Sequence, residues 1–394
     1  GPLMAKSVED TLFFRHNLEL ALNEVGADPT PRAFSLSRFH QEMRIRLARQ
    51  PDALLGTSTH DTKRGEDARA RLYTLTEAPD LWGENLARWR QMNQTQVRFL
   101  NDGTAPNAAD TWMIFQALAG VWPATLSPED RDGLKSLEER FLGFIEKALR
   151  EAKQRTDWID SNEGYESVVL DYVRHLLSPD NTLFLRNFSA ALQPFIRAGL
   201  MNSLSQTVIK LTAPGVPDIY QGSEGLNFSL VDPDNRREPD FTALAEALRA
   251  ELGEDRLLYL MVEAPVWQGA AYNGYDYAAL SEPADKLVVR VADYGDVSED
   301  FPIAPLAPLE EGYYALAELA DQVDSDCLSL LLTTTGSAWT DGRHTGQASA
   351  AEIEQLLSAS QTKDYYSDRY ACAYLTSGSG DTAVWYLNGE AALE

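Results

Sequence analysis

Between residues 65 and 211, apolar residues recur every three to four positions, the period of helices packed on one face. The spacing predicts helices at 65–76, 80–100, 108–120, 128–153, 163–177 and 187–211, with loops at Asn101–Asn107 and Ser178–Asn181 and no strand between them. Upstream, Gly1-Pro2-Leu3-Met4-Ala5 reads as the end of a buried strand. Thr11 to Glu24 carries Leu12, Phe13, Leu18, Leu20 and Ala21 at helical spacing, and Ser35 to Gln50 is a second helix capped by Ser35 or Ser37. Two short apolar runs, Pro51–Thr59 and Pro214–Gly222, read as buried strands on either side of the helical block. Ordinary connections are short, so that block is an insertion or a subdomain. A helix follows at 241–252. Beyond residue 255 the pattern shortens to β-like runs at Leu287–Ala292, Leu328–Thr333, Tyr370–Thr376 and Ala383–Leu387, with one helix at 349–359.

These signals divide the chain into four segments: 1–64, the helical insertion 65–211, 212–254, and a β-rich C-terminal part 255–394. Its 394 residues bury a core without staples. Sixty acidic against thirty-four basic residues give a net charge of −26, which argues against nucleic acid and against an anionic membrane surface. Two distant cysteines, Cys327 and Cys372, make neither a disulfide framework nor a zinc spacing, and reduced thiols fit a cytoplasmic protein. The five histidines lack metal-ligand spacing, and no apolar run is long enough to span a membrane. No metal or organic cofactor is expected.

Both strand-like runs lead into polar clusters. The first ends in Thr59-His60-Asp61-Thr62-Lys63-Arg64, and the second runs into Asp232-Pro233-Asp234-Asn235-Arg236-Arg237. On a parallel barrel, catalytic groups collect at such strand ends. A carboxylate there accepts hydrogen bonds from vicinal sugar hydroxyls and an imidazole donates one. Asp61 could equally cap the next helix, Lys63 and Arg64 could simply neutralise Asp61 and Glu66, and Asp-Pro-Asp-Asn favours turns by itself. Lys6 with Glu9 and Asp10 reads as a salt-bridged pair at a helix start, or as part of a site. Of the aromatics Trp82, Trp89, Trp112, Trp122, Trp158, Tyr165 and Tyr172, most are core by spacing. Trp158 lies in a polar stretch and is the first candidate to face a ligand. Retaining glycoside chemistry needs two carboxylates about 5 Å apart, and no convincing pair is evident.

The stretch Leu54–Leu72 (LLGTSTHDTKRGEDARARL) closely resembles maltooligosyl trehalose synthases of the α-amylase superfamily. Four further blocks agree in order: Met4–Thr11; Arg150–Lys153 with Thr156 and Trp158; Asn202–Gln206 running into Pro214–Gly222; and Leu230–Arg237. The resemblance covers roughly residues 1–240, and Ala109-Asp110-Thr111-Trp112 departs from the family's acidic-aromatic pattern.

The resemblance implies a helix-dominated mixed α and β chain: the last strands of a (β/α)8 barrel, a large helical insertion and a β-rich end. It implies a maltooligosaccharide or glycogen-derived glucan as substrate. The reducing-end α-1,4 bond becomes an α,α-1,1 bond by intramolecular transglycosylation, in trehalose biosynthesis. Asp61 is then the superfamily's third carboxylate and His60 its neighbour at the same subsite. Lys6, Glu9, Lys63, Arg64, Lys153 and Trp158 are candidates for the reducing-end glucose. Tyr220, Asp232, Asp234 and Arg236 would line the site from the last strand and its loop. The family's nucleophile and acid/base lie on earlier strands, so the chain reads as a C-terminal portion, inactive alone. An open barrel edge would be covered by the helical block or by a second copy. Another α-amylase-type glucanotransferase or hydrolase, and a non-catalytic carbohydrate-binding scaffold, are the competing readings.

Overall fold

The computed structural model describes residues 4–28, 34–265, 275–291, 309–332, 335–341, 343–368, 372–377 and 382–386. The chain forms two compact units, Gly1–Pro239 and Asp240–Glu394.

The first unit opens with a π-helix, Met4–Leu12, that runs into one α-helical turn, α1 (Phe13–Arg15), and a 3-10 turn, Leu20–Leu22. The strand expected at 1–5 falls partly on residues 1–3, outside the described residues, and Met4 and Ala5 are helical instead. The continuous helix expected over 11–24 is broken at 16–19. Asn23 Nδ2 donates to the carbonyls of Phe13 (3.0 Å) and His16 (2.6 Å), and Gln116 Nε2 donates to that of Asn17 (2.8 Å). Tertiary partners thus take the backbone groups that a helix would have paired.

Helix α2 (Leu36–Arg49) forms where expected, and its N-cap Ser35 Oγ accepts from Arg38 N at 3.2 Å. None of its residues is buried. Arg46 ties it to both strands, donating to the carbonyls of Pro214 (2.7 Å) and Leu54 (3.1 Å). Strand β1 (Leu54–Gly56) pairs in parallel with the later β4 (Val216–Asp218), Leu54 opposite Val216 and Gly56 opposite Asp218. Each strand is shorter than its sequence run and is not buried: Leu54 is 72% and Val216 47% exposed. Among the described residues this sheet has two strands only, so no closed barrel forms and the pair meets solvent. Gly215 sits at φ +136° where a Cβ would lie 2.8 Å from the Ala53 carbonyl, which requires glycine at this approach.

The helical block follows as α3 (Glu66–Glu77), α4 (Pro79–Met92), a hairpin of β2 (Arg98–Leu100) and β3 (Gly103–Ala105), α5 (Ala108–Val121), α6 (Arg131–Ala152), α7 (Glu163–Leu177) and α8 (Thr182–Thr212). The helix expected over 80–100 stops at Met92. The polar run Asn93–Gln96 ends it, and Asn101-Asp102-Gly103 supplies the turn of the hairpin. A reciprocal capping box, Asn107 with Asp110, starts α5.

The core is aromatic. Trp89, Trp122, Phe115, Phe184 and Phe188 are fully buried, with the Trp89 and Phe188 ring centres 4.7 Å apart. Each such burial contributes about 1.5–3 kcal/mol. Leu20, Ala21, Leu230 and Val231 belong to the same core. The segments expected as 1–64, 65–211 and the strand-bearing start of 212–254 therefore share one hydrophobic interior.

In the second unit, α9 (Phe241–Leu252) packs through Ala245 with β5 (Tyr259–Glu263), α10 (Tyr277–Ser281), β6 (Lys286–Val291) and α11 (Leu309–Ala320). This contact moves the expected boundary from 254 to 240. Strands β5, β6 and β7 (Leu328–Leu332) form a parallel sheet in that order. An antiparallel sheet of order β10-β11-β12-β8-β9 is built from β8 (Gly336–Thr340), β9 (Arg343–Ala348), β10 (Lys363–Ser367), β11 (Cys372–Ser377) and β12 (Thr382–Tyr386), with α12 (Ala350–Leu357) packed on it through Ile353. The C-terminal part is β-rich, as its turn-punctuated pattern predicts.

Candidate functional site

Beyond β1 the loop 57–65 is fixed from beneath. The Glu66 carboxylate accepts from the hydroxyls of Thr57 and Ser58 (3.0 Å to Ser58), and Lys210 Nζ lies 3.3 Å from it and 2.9 Å from Thr57 Oγ1. Both ions are buried, a pairing that holds only when each is also hydrogen-bonded. From one side Glu24 accepts the backbone N–H of Lys63 (2.8 Å) and of Arg64 (3.2 Å). From the other, Asn235 Nδ2 reaches the carbonyls of His60 (2.9 Å) and Thr62 (3.2 Å). Gly65 closes the loop: its N–H donates to the Ser229 carbonyl at 2.8 Å, and a Cβ there would stand 2.4 Å from the Asn227 carbonyl. Residues 62–67 are buried as a result, while His60 and Asp61 stand exposed above them.

Lys63 links two carboxylates, with Nζ 3.4 Å from Asp10 Oδ1 and 3.7 Å from Asp61 Oδ1. Lys6 Nζ reaches Asp10 Oδ2 at 2.7 Å. Burial pushes the Asp10 carboxyl up, but the Lys6 hydrogen bond and the Lys63 charge outweigh it, so Asp10 titrates below the usual range. Lys6 titrates above its ordinary value, first through its hydrogen bond to Asp10. Lys6, Asp10, Lys63 and Asp61 thus form one chain of alternating charge. Asp10 and Lys63 are its two central members, and the four-residue spacing of Asp10 from Lys6 is the sequence signal that marks that pair.

Arg64 points the other way. It is buried, donates to the Leu20 carbonyl at 3.2 Å and lies over the Phe144 ring at 5.8 Å. Burial lowers its guanidinium to about 10. Of the expected sugar-binding residues it is one that the structure directs into the scaffold.

Glu9 accepts from Gly26 N at 3.3 Å. Lys153 caps α6 in a left-handed conformation, φ 49°, with Nζ 3.3 Å from Thr11 Oγ1. Trp158 is 54% exposed, and the Arg150 guanidinium stands over its ring at 5.0 Å. Arg150 is itself held by both carboxylate oxygens of Glu166, at 3.0 and 2.8 Å. Trp82, Trp89, Trp122, Tyr165 and Tyr172 are buried, as their spacing predicts.

Tyr220 follows β4 and is half-buried. Because β1 and β4 are parallel, it leaves the pair at the same end as His60 and Asp61. Asp232 and Arg236 pair with each other at 2.6 Å and are partly exposed. Asp234 is buried. It accepts from Arg140 (2.8 and 2.9 Å) and from Leu230 N (2.8 Å), so its role is to fold the loop. Burial raises its carboxyl, yet the hydrogen bond and charge of Arg140 prevail and hold it below the usual range.

The arrangement is suited to holding hydroxyl groups: an imidazole, a carboxylate and two ammonium groups on a rigid base, with an aromatic face on the α6 side. It is not a complete acid/base pair. Asp10 is held ionised, the reverse of a general acid. Burial raises Glu19, Asp67 and Asp110, but each accepts a backbone N–H, from Ala21, Asn227 and Asn107 respectively. Among the described residues no group of three or more His, Cys, Asp or Glu could hold a metal ion.

No family model matches the chain. Proteins of Mycobacterium tuberculosis strains CDC 1551 / Oshkosh and H37Rv described as maltooligosyl trehalose synthase are 34% identical over 250 residues, 64% of this chain and 30% of theirs. The maltooligosyltrehalose synthase structure from Arthrobacter ramosus is 36% identical over 65% of this chain and 31% of its own, with a TM-score of 0.52. A glycosyltrehalose synthase structure, 22% identical, shares the fold over 98% of this chain and 45% of its own, TM-score 0.54. The chain spans about a third of the length of the curated relatives that it matches. The matched length is close to that of the stretch that carries the motifs, and the resemblance read from them holds.

Proposed function

We propose that this chain is a portion of an enzyme of the maltooligosyl trehalose synthase type, and that its polar cluster forms one wall of the glucan site. The observation that carries this reading is Asp61, an exposed carboxylate 3.7 Å from a buried ammonium at the C-terminal end of a parallel strand. Asp61 accepts hydrogen bonds from vicinal hydroxyls of the sugar at the cleavage point, His60 donates to the same ring, and the Lys63 ammonium stands beside Asp61. Trp158, Lys153 and Lys6 hold the reducing-end glucose.

In the proposed reaction, a carboxylate attacks the anomeric carbon and an acid protonates the departing oxygen. The freed glucose stays bound and turns, and its anomeric hydroxyl attacks the glycosyl-enzyme. The α,α-1,1 bond results, provided water is excluded. The helical block supplies part of that cover. Nucleophile and acid come from residues outside this chain. The exposed Leu54, Val216, Leu204 and Val208 support this, because apolar side chains on and beside an open strand pair are suited to packing against further elements.

The test is activity on maltopentaose with reducing ends counted. The chain alone is expected to be inactive. Mixed with a polypeptide carrying the remaining barrel strands of a relative, it is expected to lower the reducing-end count without shortening the glucan. Shortened glucan would identify a hydrolase, and activity of the chain alone would place the nucleophile among its own carboxylates.

A further inference from the structure

A concavity of about 510 Å³ lies in the helical block, between α4, the β2–β3 hairpin and the start of α5, and shares no lining residue with the polar cluster above. That volume is within the range of small-molecule sites. Phe99 stands on its rim, 86% exposed. An aromatic ring presented so fully beside a concave surface contributes nothing to the core. Around it are Arg90, Gln91 and Gln94, all exposed. Among the described residues the side chains of these three have neither hydrogen bond nor ion pair. Asn107 completes the set: its Oδ1 accepts from Asp110 N at 2.9 Å, which leaves its NH2 to donate.

The walls are fixed in advance. Arg155 holds the hairpin from outside the concavity, donating to Asp102 (3.0 Å from Nε) and to the Thr104 carbonyl (2.5 Å). The Asn107–Asp110 capping box sets the opposite wall. Such preorganisation lowers the entropic cost of binding.

We propose that this concavity is a second glucan-binding site, taking an internal segment of an α-glucan chain. The apolar face of a glucose ring stacks on Phe99. Its hydroxyls meet Arg90 as a donor and the carboxamides of Gln91 and Gln94 as donors and acceptors. The ligand is neutral, since an anion would approach a chain of net charge −26 with a single guanidinium to receive it. The inference rests on the glucan reading above. Its consequence is that a long glucan held here raises the local concentration of its other end.

The experiment is calorimetric titration of the full chain with maltoheptaose, comparing the wild type with Phe99→Ala, Gln91→Ala and Trp158→Ala. Phe99→Ala is expected to weaken binding at least fivefold with the melting temperature unchanged, because Phe99 is exposed. Gln91→Ala is expected to weaken it by a smaller factor. Wild-type affinity in both variants overturns the second site. If Trp158→Ala then abolishes binding, the glucan reading stands without it. If the wild-type chain does not bind maltoheptaose at all, the second site falls, and the glucan reading is decided by the mixed-polypeptide assay on maltopentaose.

Discussion

The Asn235 side-chain amide donates to the carbonyl of His60 at 2.9 Å, across 175 residues of sequence. The contact joins the two most distinctive motifs of the chain. It fixes the backbone of the loop while leaving the His60 and Asp61 side chains exposed. Asn235 is buried, and removing its amide leaves the carbonyls of His60 and Thr62 without that donor. Asn235→Ala is expected to cost about 1–3 kcal/mol. A lower urea midpoint with an unchanged slope checks it, and an unchanged midpoint would mean that the loop does not depend on this clamp.

Lys210 and Glu66 give a second prediction beneath the same loop. Lys210→Met leaves Glu66 buried beside two hydroxyls and without its cation. The expected loss is about 3–5 kcal/mol. Adding Glu66→Leu is expected to restore part of it, since a matched apolar pair has no charge to desolvate. Denaturant unfolding of the single and double variants gives the comparison, and a double variant no more stable than Lys210→Met would refute the account.

Asp234 makes a prediction about pH. Its carboxyl titrates lower in the folded chain than in the unfolded one. Its contribution is therefore present above the ordinary carboxylate value and is lost as pH falls through the lower folded value. Glu19, Asp67 and Asp110 shift the other way, so the wild-type profile mixes both signs. The difference between wild type and Asp234→Asn isolates the one group. It is expected to be about 3 kcal/mol at pH 6 and to shrink below about pH 4. A difference that is flat down to pH 2 would show that Arg140 does not need the charge.

These residues also show what a sequence can reveal. Helices α3, α5, α6 and α7 are legible because period and capping are local properties. The hairpin at 98–105 escapes because each of its strands has three residues, too few to display alternation. The break at 16–19 escapes because the groups responsible, Asn23 and Gln116, act through tertiary contacts. At the candidate site, the position of His60 and Asp61 just beyond a strand is legible from the short apolar run that precedes them. Arg64 and Asp234 look like binding groups because charged loop residues usually face outward. Their partners, the Leu20 carbonyl and Arg140, lie 44 and 94 residues away and turn them inward. Glu24 and Asn235 look unremarkable for the same reason, since their work is done on backbone atoms of a distant loop.

Trp158 separates binding from stability. Trp158 is more than half exposed, and the Arg150 guanidinium lies over its ring. An exposed cation–π contact is worth about 0.5–1 kcal/mol. Arg150 keeps both hydrogen bonds to Glu166 when the ring is gone. Trp158→Ala is therefore expected to change stability by less than about 1 kcal/mol. A sugar stacked on that ring loses its whole platform, so affinity for maltopentaose is expected to fall at least tenfold. Arg150→Lys tests the same geometry without touching the ring: lysine cannot make the bidentate bond to Glu166, and the indole loses its planar support. An intermediate loss of affinity is the expected result. If both variants bind maltopentaose as the wild type does, Trp158 is an exposed aromatic without a ligand, and the reducing-end glucose must be held by Lys6, Lys153 and the charge chain through Asp10 alone.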